Sequence, residues 1–164
     1  MHKLDWDSPL SDEIADSWGA WESELPHIKQ IKIPRWNHFS PNLSVFELHG
    51  FADASKLVYG AVIYLRIVRD NQVFVSLQFA KSKVASLKSY RIPRLELCAA
   101  LILARLTHHF LRILQDSVIA VHLWSDSEDV LWYLKSHSSK WEVFVANRCA
   151  EIQELVLKAQ LHHV

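Results

Sequence analysis

Three carboxylates are placed where they could do chemistry together. Asp53 lies in Phe51-Ala52-Asp53-Ala54-Ser55 and Asp126 in Leu123-Trp124-Ser125-Asp126-Ser127, each where an apolar run gives way to small polar residues. Ligand-binding loops gather beyond strand ends, so two such aspartates sit side by side if their strands are neighbours. Glu96 opens a long apolar segment and shares a helical face with Ala100, Leu103, Thr107 and Phe110. An acid on that stripe faces a core, which costs several kcal/mol unless it is paired or ligates a metal. Converging oxygen ligands without His or Cys suit Mg²⁺ or Mn²⁺ rather than zinc. Two such ions, roughly 3.5–4 Å apart, support phosphodiester hydrolysis.

Each acid alone has a plainer explanation. Asp126, before Ser127 and Glu128, can simply begin a helix. Glu96 can be a buried acid satisfied by Arg94 or a backbone N–H. The ordered set of strand Asp, helix Glu and strand Asp is what discriminates.

Lys81, Lys83, Lys88, Arg91 and Arg94 form a basic segment with no acid among them, and Tyr90 lies within it. Leading into the Glu96 helix, the segment suits phosphate contact and base or sugar stacking. The alternative is a solvated basic loop. The adjacent pairs His108-His109 and His162-His163 diverge on regular elements, which makes them surface and strand residues rather than ligands. In Phe144-Val145-Ala146-Asn147-Arg148 the polar pair interrupts a helical pattern and either touches substrate or holds the loop after Trp141. No Gly-rich phosphate loop, Ser/His/Asp triad or nucleophilic Cys pattern is present.

The elements that must position these residues follow from periodicity. Leu10 to Leu25 suits an amphipathic helix with Ser11 as N-cap, acidic Asp12 and Glu13, and a seam of Trp18, Trp21 and Leu25. Pro26, Pro34 and Pro41 then punctuate an extended stretch. Strands are expected from Val45 to near Asp53, from Leu57 to Val68 and from Val73 to Ala80, with a turn at Asp70-Asn71. A helix spans Pro93 to Leu114, with Pro93 favoured in its first turn. A strand from Val118 to Trp124, helices over Ser127–Lys135 and Trp141–Ala159, and a strand starting near Leu161 complete the order. This describes an α/β domain with a mixed five-stranded sheet, a β-meander of three strands followed by alternating helices and strands. Residues 1–42 are expected to be a tether, and residues 43–164 the domain.

Composition narrows the classes. The 164 residues carry 18 Lys plus Arg against 18 Asp plus Glu, so nucleic-acid binding cannot rest on net charge. Half the residues are hydrophobic, which excludes global disorder. Cys98 and Cys149 form no ligand or disulfide pattern and fit a reducing compartment. The longest apolar run, Leu95 to Leu106, falls short of the roughly 18–20 residues that span a bilayer. The N-terminus lacks a secretory layout. An intracellular location without a membrane is expected, in the cytoplasm, a virus-like particle or the nucleus.

The stretches LHGFADASKLVYGAVIYLR, LKSYRIPRLELCAALILARL and VHLWSDSEDVLWYLKS resemble the ribonuclease H domain of Bel/Pao-type LTR retrotransposon polyproteins. LDWDSPLSDEIADSWGAWESEL and IKIPRW are similar to the segment joining the reverse transcriptase to that domain. The resemblance covers nearly the whole chain. It implies a ribonuclease H-like fold, two Mg²⁺ or Mn²⁺ ions, and hydrolysis of the RNA strand of an RNA–DNA hybrid to 3′-hydroxyl and 5′-phosphate ends. The reverse transcriptase of the same polyprotein is the implied partner. Asp53, Glu96 and Asp126 match the first-strand, helix and fourth-strand acids. A fourth acid is expected in an NPAD-like segment beyond Val164, so the last strand and helix are expected to be truncated and activity is in question. A catalytically inactive ribonuclease H-like module that binds nucleic acid or a protein is the alternative. An ATPase or transposase on the same fold is disfavoured by the missing phosphate loop and by the tether.

Overall fold

The computed structural model describes residues 7–35, 45–86, 90–114, 120–157 and 159–164. They fall into two compact units, Met1–Pro34 and Arg35–Val164.

In the first unit, helix α1 spans Asp12–Ile28 and none of its residues is buried. Ser11 is the N-cap by position, without a side-chain capping bond. The helix passes through Pro26 instead of ending at Leu25. Proline there removes a single helical N–H, and the turn still closes through Lys29 N–H to Pro26 O (3.2 Å) and Gln30 N–H to His27 O (3.0 Å). The Trp18 and Trp21 rings lie 4.9 Å apart, both more than half exposed.

The second unit is a mixed five-stranded sheet in the order β3-β2-β1-β4-β5. Its strands are β1 Val45–Ala54, β2 Val58–Arg69, β3 Gln72–Val84, β4 Ala120–Ser125 and β5 Gln160–His163. The first three form an antiparallel meander, while β4 lies parallel to both β1 and β5. Asp70 and Asn71 make the two-residue β2–β3 turn with φ of 52° and 60°. Asp and Asn tolerate that left-handed backbone better than most side chains, and such turns match strand twist.

Helix α2 (Ile92–Leu114) crosses β1 and β2, and helices α3 (Glu128–Lys135) and α4 (Val143–Leu155) pack beside it. Alternate residues of the strands face these helices: Phe46, Leu48 and Ala52 in β1, and Ala61, Ile63, Leu65 and Ile67 in β2, are all buried. Gly50 lets α2 approach β1. A Cβ there would lie 2.5 Å from Leu103 Cδ1 and 3.0 Å from Leu123 Cδ2. On the other face, His49, Phe51, His122, Trp124 and His162 stack ring against ring, and Tyr64 meets Phe51 edge-on.

Four expectations need correcting. Strand β3 runs on to Val84, because the β2 backbone continues to pair with it past Ala80. Helix α4 is shorter than Trp141–Ala159, since a 3₁₀ turn at Ser138–Lys140 precedes it and the chain turns after Leu155 to enter β5. Asn147 and Arg148 do not interrupt that helix; Arg148 donates to Phe144 O (2.9 Å) within it. By length and hydropathy α2 could cross a bilayer, yet its apolar residues, Leu95 to Phe110, line the core of this unit.

Candidate metal centre and nucleic-acid face

The sheet itself brings the two aspartates together. Ala52 and Ser125 are register partners in the parallel β1–β4 pair, so the next residues, Asp53 and Asp126, leave neighbouring strands at the same level. Asp53 is the penultimate residue of β1 and lies opposite Gly60. A Cβ on Gly60 would come within 2.9 Å of the Lys81 carbonyl oxygen, so this row stays flat beside Asp53. After Asp126, Ser125 Oγ accepts from Ser127 N–H (3.2 Å) and Ser127 Oγ from Val130 N–H (3.4 Å). These bonds fix the turn into α3.

Glu96 comes from α2, one residue further in than expected because the helix begins at Ile92. Its side chain is on the core side and only 6% exposed. One carboxylate oxygen from each of Asp53, Glu96 and Asp126 lies within 4.8 Å of the others. Burial foremost, then the charges of Asp126 and Asp53, push the Glu96 carboxyl up to about 7, against a backbone hydrogen bond from Ala54. Glu96 Oε2 is buried with no hydrogen-bond partner among the described residues. Arg94 does not neutralise it, since that guanidinium pairs with Glu142 at 2.8 Å. An orphaned buried carboxylate oxygen facing two further carboxylates fits a hard divalent cation, because oxygen donors of net negative charge are what Mg²⁺ and Mn²⁺ prefer.

The expected basic segment is divided by the fold. Lys81 and Lys83 lie exposed on β3, opposite Ala61 and Tyr59. Lys81 borders a hollow of about 440 Å³ that also reaches Asp53, Ser55 and Gly60. Lys88 lies outside the described residues. Tyr90, Arg91 and Arg94 instead line a groove of about 640 Å³ with Trp132, Tyr133 and Trp141. Tyr90 packs on Phe144 at 5.3 Å, and the Arg94 guanidinium lies 5.1 Å from the same ring. The groove meets the opening over Glu96 and Asp126 at Pro93, which lines both.

Sequence reasoning missed the aromatic wall. Trp141 stacks edge-on against Trp132 (4.5 Å) and Tyr133 (5.0 Å), a cluster that closes only when α3 and the 3₁₀ turn fold together. A Trp-Tyr pair on one short helix, with another Trp nine residues on, was the available signal. His162 and His163 do diverge: one ring meets His122 (Nε2 to Nδ1, 3.0 Å), the other donates to Asp126 O at 3.1 Å.

The sequence matches the profile of the Pao retrotransposon-like RNaseH-like domain over residues 1–127. No curated protein matches it. Among solved structures, RNase H1 from the halophilic archaeon Halobacterium salinarum is 13% identical, with a TM-score of 0.42, over 72% of this chain and 85% of that one. LC11-RNase H1 in complex with an RNA/DNA hybrid is 13% identical, with a TM-score of 0.44, over 73% and 84%. A foamy viral protease-reverse transcriptase in complex with dsDNA is 11% identical, with a TM-score of 0.39, over 76% and 83%. The fold is ribonuclease H-like, with the mixed sheet that the sequence resemblance implied.

Proposed function

Because the chain belongs to the Pao retrotransposon-like RNaseH-like domain family, we propose that it hydrolyses the RNA strand of RNA–DNA hybrids as part of a retrotransposon reverse-transcriptase polyprotein. The observation that carries this reading is the convergence of Asp53, Glu96 and Asp126 from three separate elements, with a buried oxygen of Glu96 left unpartnered. These three residues would hold the divalent cations, two Mg²⁺ or Mn²⁺, whose chemistry is Lewis-acid stabilisation of the phosphoryl oxygens and activation of water.

The remaining work falls to the chain's own residues. Asp53 and Asp126 are exposed and keep the centre open to a phosphodiester, while Glu96 forms its buried wall. Lys81 and Lys83 on one side, and Arg91 on the other, attract the phosphates of a duplex laid across the centre. Tyr90, Trp132 and Trp141 offer faces to sugars or bases of one strand, a contact worth about 1–3 kcal/mol per stacked base. Residues 1–42, with the exposed tryptophans of α1, serve in this reading as the tether to the reverse transcriptase.

Replacing Asp53 by Asn should abolish Mg²⁺- or Mn²⁺-dependent cleavage of a labelled hybrid. Undiminished cleavage by that variant defeats the assignment. A binding module without catalysis is the competing reading. Hybrid binding without cleavage at saturating Mn²⁺ would establish it.

A further inference from the structure

A second pair of carboxylates borders the same opening. Ser127 caps α3 and sets Glu128 and Asp129 in its first turn. With Glu96, Asp126, Ile92, Pro93 and Ser127 they line a cavity of about 360 Å³. Four of its seven lining residues are acids, and none is Lys or Arg. Neither Glu128 nor Asp129 has an ion-pair partner among the described residues.

The helix N-terminus alone explains part of this, since two acids in a first turn gain roughly 0.3–1 kcal/mol each from the helix dipole. It does not explain why they edge a cavity that already holds Asp126 and Glu96, the latter 6% exposed with an unpartnered Oε2. Carboxylates crowded around one cavity repel one another as they ionise, and a cation among them removes that cost.

Glu128 and Asp129 do not belong to the tight set within 4.8 Å, which is Asp53, Glu96 and Asp126 alone. Direct ligation by all five acids is therefore not the geometry. Mg²⁺ gives up water reluctantly and keeps several water ligands when one or two carboxylates bind it. Each retained water has protons to donate, and acids one layer out are suited to accept them. We propose that Glu128 and Asp129 form this outer layer, holding the water ligands of a hydrated divalent cation seated against Glu96 and Asp126. This rests on reading the three inner acids as a metal centre. It assigns the two first-turn acids of α3 a part in metal affinity, as positioning residues.

The test is Mn²⁺ titration of the full 164-residue chain, followed by calorimetry and by electron paramagnetic resonance of free Mn²⁺. The Glu128→Gln/Asp129→Asn double variant is compared with the wild type and with Asp53→Asn. Loss of outer-layer acids should weaken Mn²⁺ binding by about 10-fold or more. Cobalt hexammine, whose ligands do not exchange, should bind the wild type and lose affinity for the double variant. The Glu128→Asp/Asp129→Glu swap keeps both charges at the helix end and should bind Mn²⁺ within about threefold of wild type. It also provides a folded comparison if the neutral variant melts early. Unchanged Mn²⁺ and cobalt hexammine affinity in the double variant, with weakened Mn²⁺ binding in Asp53→Asn, overturns the outer layer and leaves the inner centre standing. Equal Mn²⁺ binding by the wild type and Asp53→Asn removes the inner centre, and the outer layer with it.

Discussion

Two glutamates in the second unit show opposite treatment of the same group. Glu47, near the start of β1, lies beside Arg66 (2.8 Å) and His49 (3.3 Å), both drawn from the sheet. Burial pulls its pKa upward, but the His49 hydrogen bond and the Arg66 charge outweigh that and leave it below 4.5. Glu96, at the other end of the sheet, has two aspartates for neighbours and stands near 7. The fold can supply a carboxylate with cations where nothing else is asked of it. Where it supplies further carboxylates instead, stability is given up, which in the proposed function a bound metal restores.

The comparison breaks most readily at Glu96. Glu96→Gln keeps the shape and removes the charge, and hybrid cleavage should fall by about 10³-fold or more if a transition-state charge is held there. A variant that cleaves within tenfold of wild type would make Glu96 a structural acid like Glu47.

A stability measurement sharpens the contrast next. Below pH 4.5 the Glu96 proton is bound in both the folded and unfolded chains. As pH rises toward 7 the unfolded chain releases it and the folded chain does not, so folding loses stability over that window. The loss reaches about 3 kcal/mol above pH 7. The metal-free wild type should therefore melt about 5–10 °C lower relative to Glu96→Gln at pH 8 than at pH 5. Saturating Mg²⁺ at pH 8 should reduce that gap. A constant difference across pH, measured by calorimetry, would show that Glu96 is solvated or paired in solution.

The aromatic groove provides a smaller test. Trp132 is 58% exposed, so Trp132→Ala should leave folding nearly intact. It should raise the KM for hybrid about 5- to 20-fold by loss of one stacking contact. An unchanged KM with a lowered melting point would assign the indole to packing against Trp141.

Much of this arrangement was legible from residue order. The stripe of Ala100, Leu103, Thr107 and Phe110 announced that Glu96 faces the core, and all four are buried. Asp53 and Asp126 were visible as polar exits from apolar strands. Their adjacency was not, because it depends on parallel pairing of strands about seventy residues apart, which leaves no local mark. The end of β3 was hidden for another reason. Lys81, Ser82 and Lys83 lack the alternation of a half-buried strand, since this edge runs out with both sides exposed and only the β2 ladder carries it. The split of the basic segment follows directly, because extending the strand carries Lys81 and Lys83 away from Arg91 and Arg94. The groove could not be read from spacing either. Trp132 and Trp141 belong to different elements and meet only through the turn between them.

The smallest expected effect lies on the satisfied side of the comparison. Glu47→Gln removes the carboxylate that Arg66 and His49 share but keeps an oxygen able to accept from either. Both partners are part-exposed, Arg66 at 33% and His49 at 23%, so water can solvate the freed guanidinium. The cost should be no more than about 1 kcal/mol, the upper end for an exposed pair. Because Glu47 is held below 4.5, its contribution is present above that pH and fades as acid protonates it, opposite in sign to Glu96. Wild type and Glu47→Gln should accordingly converge in melting temperature as pH falls toward 3.5, while hybrid cleavage at pH 8 stays within about twofold. A large loss of cleavage in Glu47→Gln would mean that the two ends of β1 are coupled, and the division between a structural and a functional carboxylate would have to be withdrawn.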